Sequence, residues 1–229
     1  MAKKRLGMVI DLERCIGCWT CATACKASNN VAMGNWWLRI LNVEGNHIGS
    51  AGDVMGAPKM TTVPFMCQHC ENAPCVKSCP VGATYKRDDG VVMQDPDLCI
   101  GCRTCMAACP YNVKVFNWSD PVQAVNFEGG EHLGFATVKQ RGRHVVEKCT
   151  FCAERLDAGE QPACVESCVA MTRTFGDLND PNSEVSRLIR ERNGFQIKPE
   201  FGTNPSVWYL PRRRQNQQLA SEKANGGQS

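Results

Sequence analysis

Apolar residues fall in short runs along this chain, and few of the runs have the spacing of a long amphipathic helix. Residues 6–10 are apolar apart from Gly7 and stop at Asp11, which predicts a short buried strand. Residues 22–27 are good helix formers. Residues 30–66 read as strands and loops, with an apolar strand over 37–43 that includes Trp37. A β-hairpin is predicted with arms at 83–86 and 91–94 and a turn at Asp88, Asp89 and Gly90. Residues 111–148 form an insert of mixed character with Gly129, Gly130 and Gly142, and residues 153–157 read as one helical turn. Near the end, Asp180 is placed to cap a helix with Pro181 at its first position. Val185, Leu188 and Ile189 form its apolar face, and Gly194 ends it. Residues 206–211 look like an extended docking segment, Arg212 to Arg214 a solvated end, and 215–229 a disordered one. Short strands mixed with short helices predict an α+β fold.

No apolar run reaches the length of a transmembrane helix. The basic N-terminus is followed by an apolar stretch that Asp11 interrupts too soon for a signal-peptide core, and no twin-arginine pair is present there. The chain is therefore expected to carry neither its own export signal nor its own anchor.

The cysteines change the picture. There are 16 among 229 residues, in four groups. Group one is Cys15, Cys18, Cys21 and Cys25; group two is Cys67, Cys70, Cys75 and Cys79. Group three is Cys99, Cys102, Cys105 and Cys109, and group four is Cys149, Cys152, Cys164 and Cys168. Group three, followed by Pro110, has the spacing with which bacterial-type ferredoxins hold iron–sulfur clusters. Two-residue gaps let a tight loop aim three thiolates at one face of a cubane. The three-residue gap starts a helix that carries the fourth sulfur to a second cluster. Cysteines this close are poor disulfide partners, and four within eleven residues crowd the two separated pairs that zinc prefers.

Charge fits the same chemistry. The formal charge is +3, but it counts thiolates as neutral. Four cubanes at roughly −2 each with their ligands turn it to about −5. The excess of Lys and Arg then reads as compensation for buried anions, and no basic run with interleaved aromatics argues for nucleic acid.

An internal repeat sets the pairing. Asp11 precedes Cys15-Ile16-Gly17-Cys18 as Asp95 precedes Cys99-Ile100-Gly101-Cys102. Pro74 and Cys75 to Cys79 resemble Pro162 and Cys164 to Cys168, and a strand Thr follows each, Thr84 and Thr172. Groups two and three then make an inner module, about 62–112. Residues 5–30 with 145–180 make an outer one that is split in sequence. Together they give a double ferredoxin-like domain over 1–180, followed by a helix and partner-docking tail at 181–214. With the fourth cysteine exchanged, the ligand sets are Cys15, Cys18, Cys21 with Cys168; Cys149, Cys152, Cys164 with Cys25; Cys67, Cys70, Cys75 with Cys109; and Cys99, Cys102, Cys105 with Cys79. Every cysteine is used once, which predicts four [4Fe–4S] clusters and no three-iron centre.

The remaining candidates have plainer roles. His69 lies between two ligands of a complete set and is expected to pack or hydrogen-bond, and His47, His132 and His144 have no partners in sequence. Trp36 and Trp37 read as packing residues, and Trp19 and Phe151 as shields of clusters from water. Lys26, Lys77, Lys114 and Lys148 flank cysteines, where they raise reduction potential or keep the surface soluble. No nucleophile–base pair, phosphate-binding Gly loop or carboxylate pair is present, so a non-catalytic chain is expected.

Over residues 5–213 the ordered set of 16 cysteines resembles the four-cluster electron-transfer subunit of molybdopterin oxidoreductases, the family of dimethyl sulfoxide, polysulfide and arsenate respiratory reductases. The stretches 147–157, 162–168 and 176–189 are particularly similar. The resemblance implies a large catalytic partner with a molybdenum or tungsten bis-pterin, and often a membrane subunit that exchanges electrons with quinones. It also implies an order, with the Cys15 cluster nearest the catalytic subunit and the Cys99 cluster nearest the membrane or other donor. In the nitrate reductase branch the position of Cys102 is Trp, and Val169 replaces a frequent Pro. Co-export with the catalytic subunit would place the complex on the periplasmic or extracytoplasmic face, with a cytoplasmic complex as the alternative. A free soluble polyferredoxin serving a hydrogenase or another oxidoreductase is the alternative function.

Overall fold

The computed structural model describes residues 4–42, 62–122, 134, 137–139 and 141–212. In chain order the strands are β1 (Leu6–Asp11), β2 (Leu38–Asn42), β3 (Thr62–Met66), β4 (Thr84–Lys86) and β5 (Val92–Gln94), then β6 (Val115–Phe116), β7 (Val146–Glu147), β8 (Arg173–Asp177) and β9 (Val207–Leu210). The helices are α1 (Thr20–Ser28), α2 (Pro74–Lys77), α3 (Thr104–Ala107), α4 (Ala153–Asp157), α5 (Ala163–Glu166) and α6 (Glu184–Glu191).

β1 is buried along its whole length because both of its edges are paired and both of its faces are covered, Leu6, Met8 and Ile10 joining the main core and Val9 packing with Val185 of α6. β8 pairs with it antiparallel, Met8 opposite Phe175, and β9 pairs with it parallel, Met8 opposite Val207. A strand covered in this way needs apolar side chains on both faces, which explains the unbroken run. Burying each large side chain, such as Met8 or Ile10, contributes about 1.5–3 kcal/mol. The other sheets are two-stranded: β2 with β3, β4 with β5, and β6 with β7. One continuous core runs from β1 through Trp37, Met66, the β4–β5 hairpin and Phe151 to Tyr209.

Two arrangements recur. α2 packs on α3 beside the β4–β5 hairpin, and α1 packs on α5 beside the β1–β8 pair. In each, one strand leads into a Cys-Ile-Gly-Cys loop and its partner strand follows the last cysteine of another group. Leu6 N donates to Asp89 O at 2.8 Å and ties the two together.

The C-terminal region differs from expectation in two ways. The helix begins at Glu184, with Ser183 as its cap, its Oγ accepting from Ser186 N at 3.2 Å. Asp180 instead turns the chain, its Oδ1 accepting from Asn182 N at 2.9 Å. Val185 and Leu210 are buried with Val9, and Leu188 and Ile189 pack on them, as the apolar face predicted. The extended segment does dock, but within the chain itself. β9 completes the β1 sheet, and Tyr209 is fully buried with its OH donating to Pro64 O at 3.1 Å. The part of the proposed tail that pairs this way is therefore structural, because Val207, Tyr209 and Leu210 would otherwise expose a large apolar face. Gly129, Gly130, His47, His132 and residues 215–229 lie outside the described residues.

Candidate metal centres

The Cys-Ile-Gly-Cys loops are built alike. Gly17 has φ +71° and Gly101 φ +70°, and Trp19 and Arg103, just past the second cysteine, are also left-handed at φ 63° and 60°. A Cβ on Gly17 would come within 2.8 Å of Thr62 Cγ2, and one on Gly101 would strike His144 O. Only glycine both adopts this turn freely and lets the neighbouring chain approach. The left-handed residue then starts α1 or α3, whose first turn carries Cys21 or Cys105.

Cysteines from distant groups meet. Cys67, Cys70 and Cys75 line one cavity together with Cys109. Cys15, Cys18 and Cys21 line another with Cys168. Cys25 lies within electrostatic reach of Cys149, Cys152 and Cys164, and Cys102 within reach of Cys79. In each expected set of four the exchanged cysteine thus lies near at least one of the other three. The sets also influence one another in series: Cys21 acts on Cys164, and Cys67 on Cys149.

Burial separates the sites into two kinds. Cys18 and Cys102 are exposed, whereas Cys25, Cys70, Cys75, Cys149, Cys152 and Cys164 are buried. Loss of water, reinforced by neighbouring thiolate charge, pushes the Cys70 thiol up to about 12. The same desolvation takes Cys75 to about 11 and Cys164 to about 12. Cys25 and Cys149 are driven well above the ordinary thiol range by burial and then by facing cysteines. At the exposed end the direction reverses. Hydrogen bonding to Thr20 lowers Cys18, and Thr104 lowers Cys102. Cys79 and Cys168 are lowered too, burial being outweighed by hydrogen bonds from Thr84 and Thr172. Thr84 N donates to Cys79 Sγ at 3.4 Å and Thr172 N to Cys168 Sγ at 3.3 Å. These are the two threonines of the repeat, and their purpose was not readable from spacing.

Cations are buried beside the thiols. Arg173 Nη2 points at Cys21 Sγ, 3.5 Å away, and Nη1 at Cys164 Sγ, 4.0 Å away. Sequence reasoning missed this residue. Its position depends on Met8 and Met66, whose sulfurs flank Nη1, and nothing local announces it. Lys148 and Lys114 are buried, not surface solubilisers as one reading of the sequence allowed. Lys26 is spent locally, donating to Asn35 O at 2.8 Å and lying over Trp36.

The aromatic residues behave as packing. Trp37 is buried and donates to Glu147 Oε2 at 3.0 Å, and Trp19 meets Trp36 edge to face. His69 stacks on Phe151 at 3.6 Å, and its Nδ1 accepts from Val92 N at 3.1 Å. Burial, with Lys148 nearby, holds its pKa well below the ordinary histidine value, so the ring is neutral. His144 stacks on Phe116.

The donor set fits iron–sulfur clusters. All 16 thiols are unpaired with one another, yet among the described residues no three His, Cys, Asp or Glu side chains converge on a single-ion site. Zinc would draw four sulfurs to roughly 4 Å of each other. Four thiols around a shared cavity suit a larger inorganic core. High thiol pKa values inside mean that a metal must displace protons to bind.

Known proteins carry the same pattern. A 4Fe-4S dicluster domain family matches residues 58–126 and 132–178, and a second 4Fe-4S dicluster family matches 14–83. The chain is 51% identical, over 89% of its length and 78% of the relative, to the protein assigned as the iron-sulfur subunit of a dimethyl sulfoxide reductase in Halobacterium salinarum. It is 40% identical to the arsenate respiratory reductase iron-sulfur subunit ArrB of a Shewanella species, over 90% of this chain and 96% of that one. It is 37% identical to a subunit of the tetrathionate reductase of Salmonella typhimurium, over 91% and 73%. Among the described residues no helix is long and apolar enough to cross a membrane. Repeated dicluster domains, 16 cysteines and these relatives give one conclusion: the chain belongs to the family of four-cluster iron–sulfur subunits of molybdopterin-type respiratory reductases, and it transfers electrons without itself being the catalyst.

Proposed function

We propose that this chain relays electrons along four clusters held by Cys15, Cys18, Cys21 and Cys168; Cys25, Cys149, Cys152 and Cys164; Cys67, Cys70, Cys75 and Cys109; and Cys79, Cys99, Cys102 and Cys105. The inner module is residues 62–112, and the outer module joins 5–30 to 145–180 and takes α6 and β9 onto its sheet. The observation that carries this reading is the pair of cavities in which three cysteines of one group meet the last cysteine of a distant group. When bound, the clusters pass one electron at a time. The protein's part is to hold thiolates, exclude water and offset charge.

The order of the relay is Cys15 set, Cys149 set, Cys67 set, Cys99 set. It is supported by the electrostatic reach of Cys21 to Cys164 and of Cys67 to Cys149. The two exposed cysteines, Cys18 and Cys102, belong to the end sets, and exposed apolar side chains flank both. Ile16, Trp19, Val169 and Met171 surround one end, and Leu98, Ile100 and Trp118 the other. Exposed apolar residues beside a redox centre suit protein partners that must approach closely. The first end faces a large catalytic subunit with a bis-pterin molybdenum or tungsten site. The second faces a quinone-linked membrane subunit or another donor. The assembly works on the extracytoplasmic face of the membrane, exported with its catalytic subunit.

Anaerobic purification of the complex tests this. It should yield about 16 Fe and 16 sulfide per copy of this chain, beyond any held by the partner, and a co-purifying pterin protein. A lone brown monomer without a pterin partner, or an iron count below about 12, contradicts the proposal.

A further inference from the structure

Three buried cations stand at the three junctions between neighbouring cysteine sets. Arg173 spans the first, with Nη2 at 3.5 Å from Cys21 Sγ and Nη1 at 4.0 Å from Cys164 Sγ. Lys148 stands at the second. Its Nζ donates to Cys149 O at 2.7 Å and to Val92 O, and its charge acts on both Cys149 and Cys75. Lys114 stands at the third. Its Nζ donates to Thr84 Oγ1 at 3.2 Å and Gln94 Oε1 at 2.9 Å, and its charge acts on Cys75. Thr84 in turn donates its N–H to Cys79 Sγ at 3.4 Å, which links Lys114 to the last set.

All three side chains belong to residues at most 5% exposed. A buried cation is strongly unfavourable unless an opposite charge or a full set of acceptors compensates it. The guanidinium of Arg173 has sulfurs around its Nη1 and Nη2, and among the described residues its Nε has no hydrogen-bond partner. Among the described residues Lys148 donates only to carbonyl oxygens, and Lys114 only to a hydroxyl and an amide oxygen. The anions able to balance these charges are the thiolates of the sets on either side. The arrangement is also economical in number: four sets in series have three junctions, and each junction holds one cation.

We propose that Arg173, Lys148 and Lys114 are junction cations, each shared by two successive clusters and each raising the reduction potential of both. A positive charge between two anionic centres favours the added electron on either. Because it stabilises an added electron on both clusters, it offsets the cost of holding two electrons on neighbouring anionic centres. These are positioning and tuning residues, not ligands. The proposal rests on the ligand sets given above.

The test is a redox titration of the four clusters, followed by low-temperature electron paramagnetic resonance, on the whole complex. The variants are Arg173→Gln, Lys148→Gln and Lys114→Gln. Each should lower two of the four midpoints by at least a tenfold change in the oxidised-to-reduced ratio, about 59 mV for a one-electron couple. The pattern identifies itself without assigning any signal. Arg173→Gln and Lys114→Gln should move disjoint pairs, and Lys148→Gln should move one member of each pair. Movement of a single midpoint, of all four equally, or of none overturns the proposal. If a neutral variant assembles with less iron, Arg173→Lys, Lys148→Arg and Lys114→Arg decide. Parental midpoints in these charge-keeping variants support the proposal, and losses equal to those of the neutral variants overturn it. Failure of the ligand sets would be seen separately, with all three cations in place, as a low iron count in the parent complex or as Cys102→Ser and Cys109→Ser altering the same cluster signal.

Discussion

Cys18 and Cys102 are exposed, each beside a threonine hydroxyl, whereas Cys25, Cys149 and Cys164 are buried among other sulfurs and a buried Arg173 or Lys148. The end sites and the inner sites each start from a Cys-x2-Cys pair and take a cysteine from another group, yet the fold treats them differently. At the ends, hydrogen bonds to sulfur and open approach define the environment. Inside, thiols form part of the hydrophobic core, and permanent cations take the place of water. An electron relay needs both conditions. The ends must come close to partner proteins, and the middle must insulate the charge while keeping its energetic cost low.

Substitutions can break this comparison by size of effect. The largest difference is expected in stability. Cys149→Ser places a hydroxyl and an incomplete cluster inside the continuous core, costing about 4 kcal/mol or more. Cys102→Ser, at an exposed position, should cost less than about 1 kcal/mol. Denaturant-induced bleaching of the clusters measures both, and equal losses would erase the distinction between ends and middle. Next comes potential. Thr104→Val removes a hydroxyl 3.5 Å from Cys102 Sγ. Loss of one such hydrogen bond, about 1 kcal/mol, should lower one end midpoint by about 40 mV and leave the inner pair unchanged. The smallest effect is a control far from the sulfurs. Ser183→Ala deletes the α6 cap and should cost about 1 kcal/mol of stability with all four midpoints intact. A midpoint shift there would mean that tail and clusters are coupled through the β1 sheet.

The sequence made the chemistry legible because cluster binding is encoded locally. Cys-Ile-Gly-Cys needs its spacing and a glycine at positive φ, and both are visible in a few residues. The strand over 6–10, the β4–β5 hairpin and the apolar face of α6 were legible for the same reason. What escaped was non-local. Asp180 and Pro181 satisfy the rules for a helix start, but Ser183 is the residue whose Oγ reaches a free N–H. The parallel pairing of β9 with β1 joins residues about two hundred positions apart, so no short pattern announces it. Arg173 read as an ordinary strand residue until the chain brought Cys21, Cys164, Met8 and Met66 around it.

The exchange of the fourth cysteine between groups underlies every ligand set and every junction between them. Cys102 and Cys109 are neighbours in one group, but Cys109 lines the cavity of Cys67, Cys70 and Cys75. Electron paramagnetic resonance of the reduced complex carrying Cys102→Ser, and separately Cys109→Ser, reads this out. The two substitutions are expected to alter two different cluster signals, each leaving the other's signal intact. If both substitutions alter the same signal, group three holds a cluster of its own and the exchanged pairing is wrong.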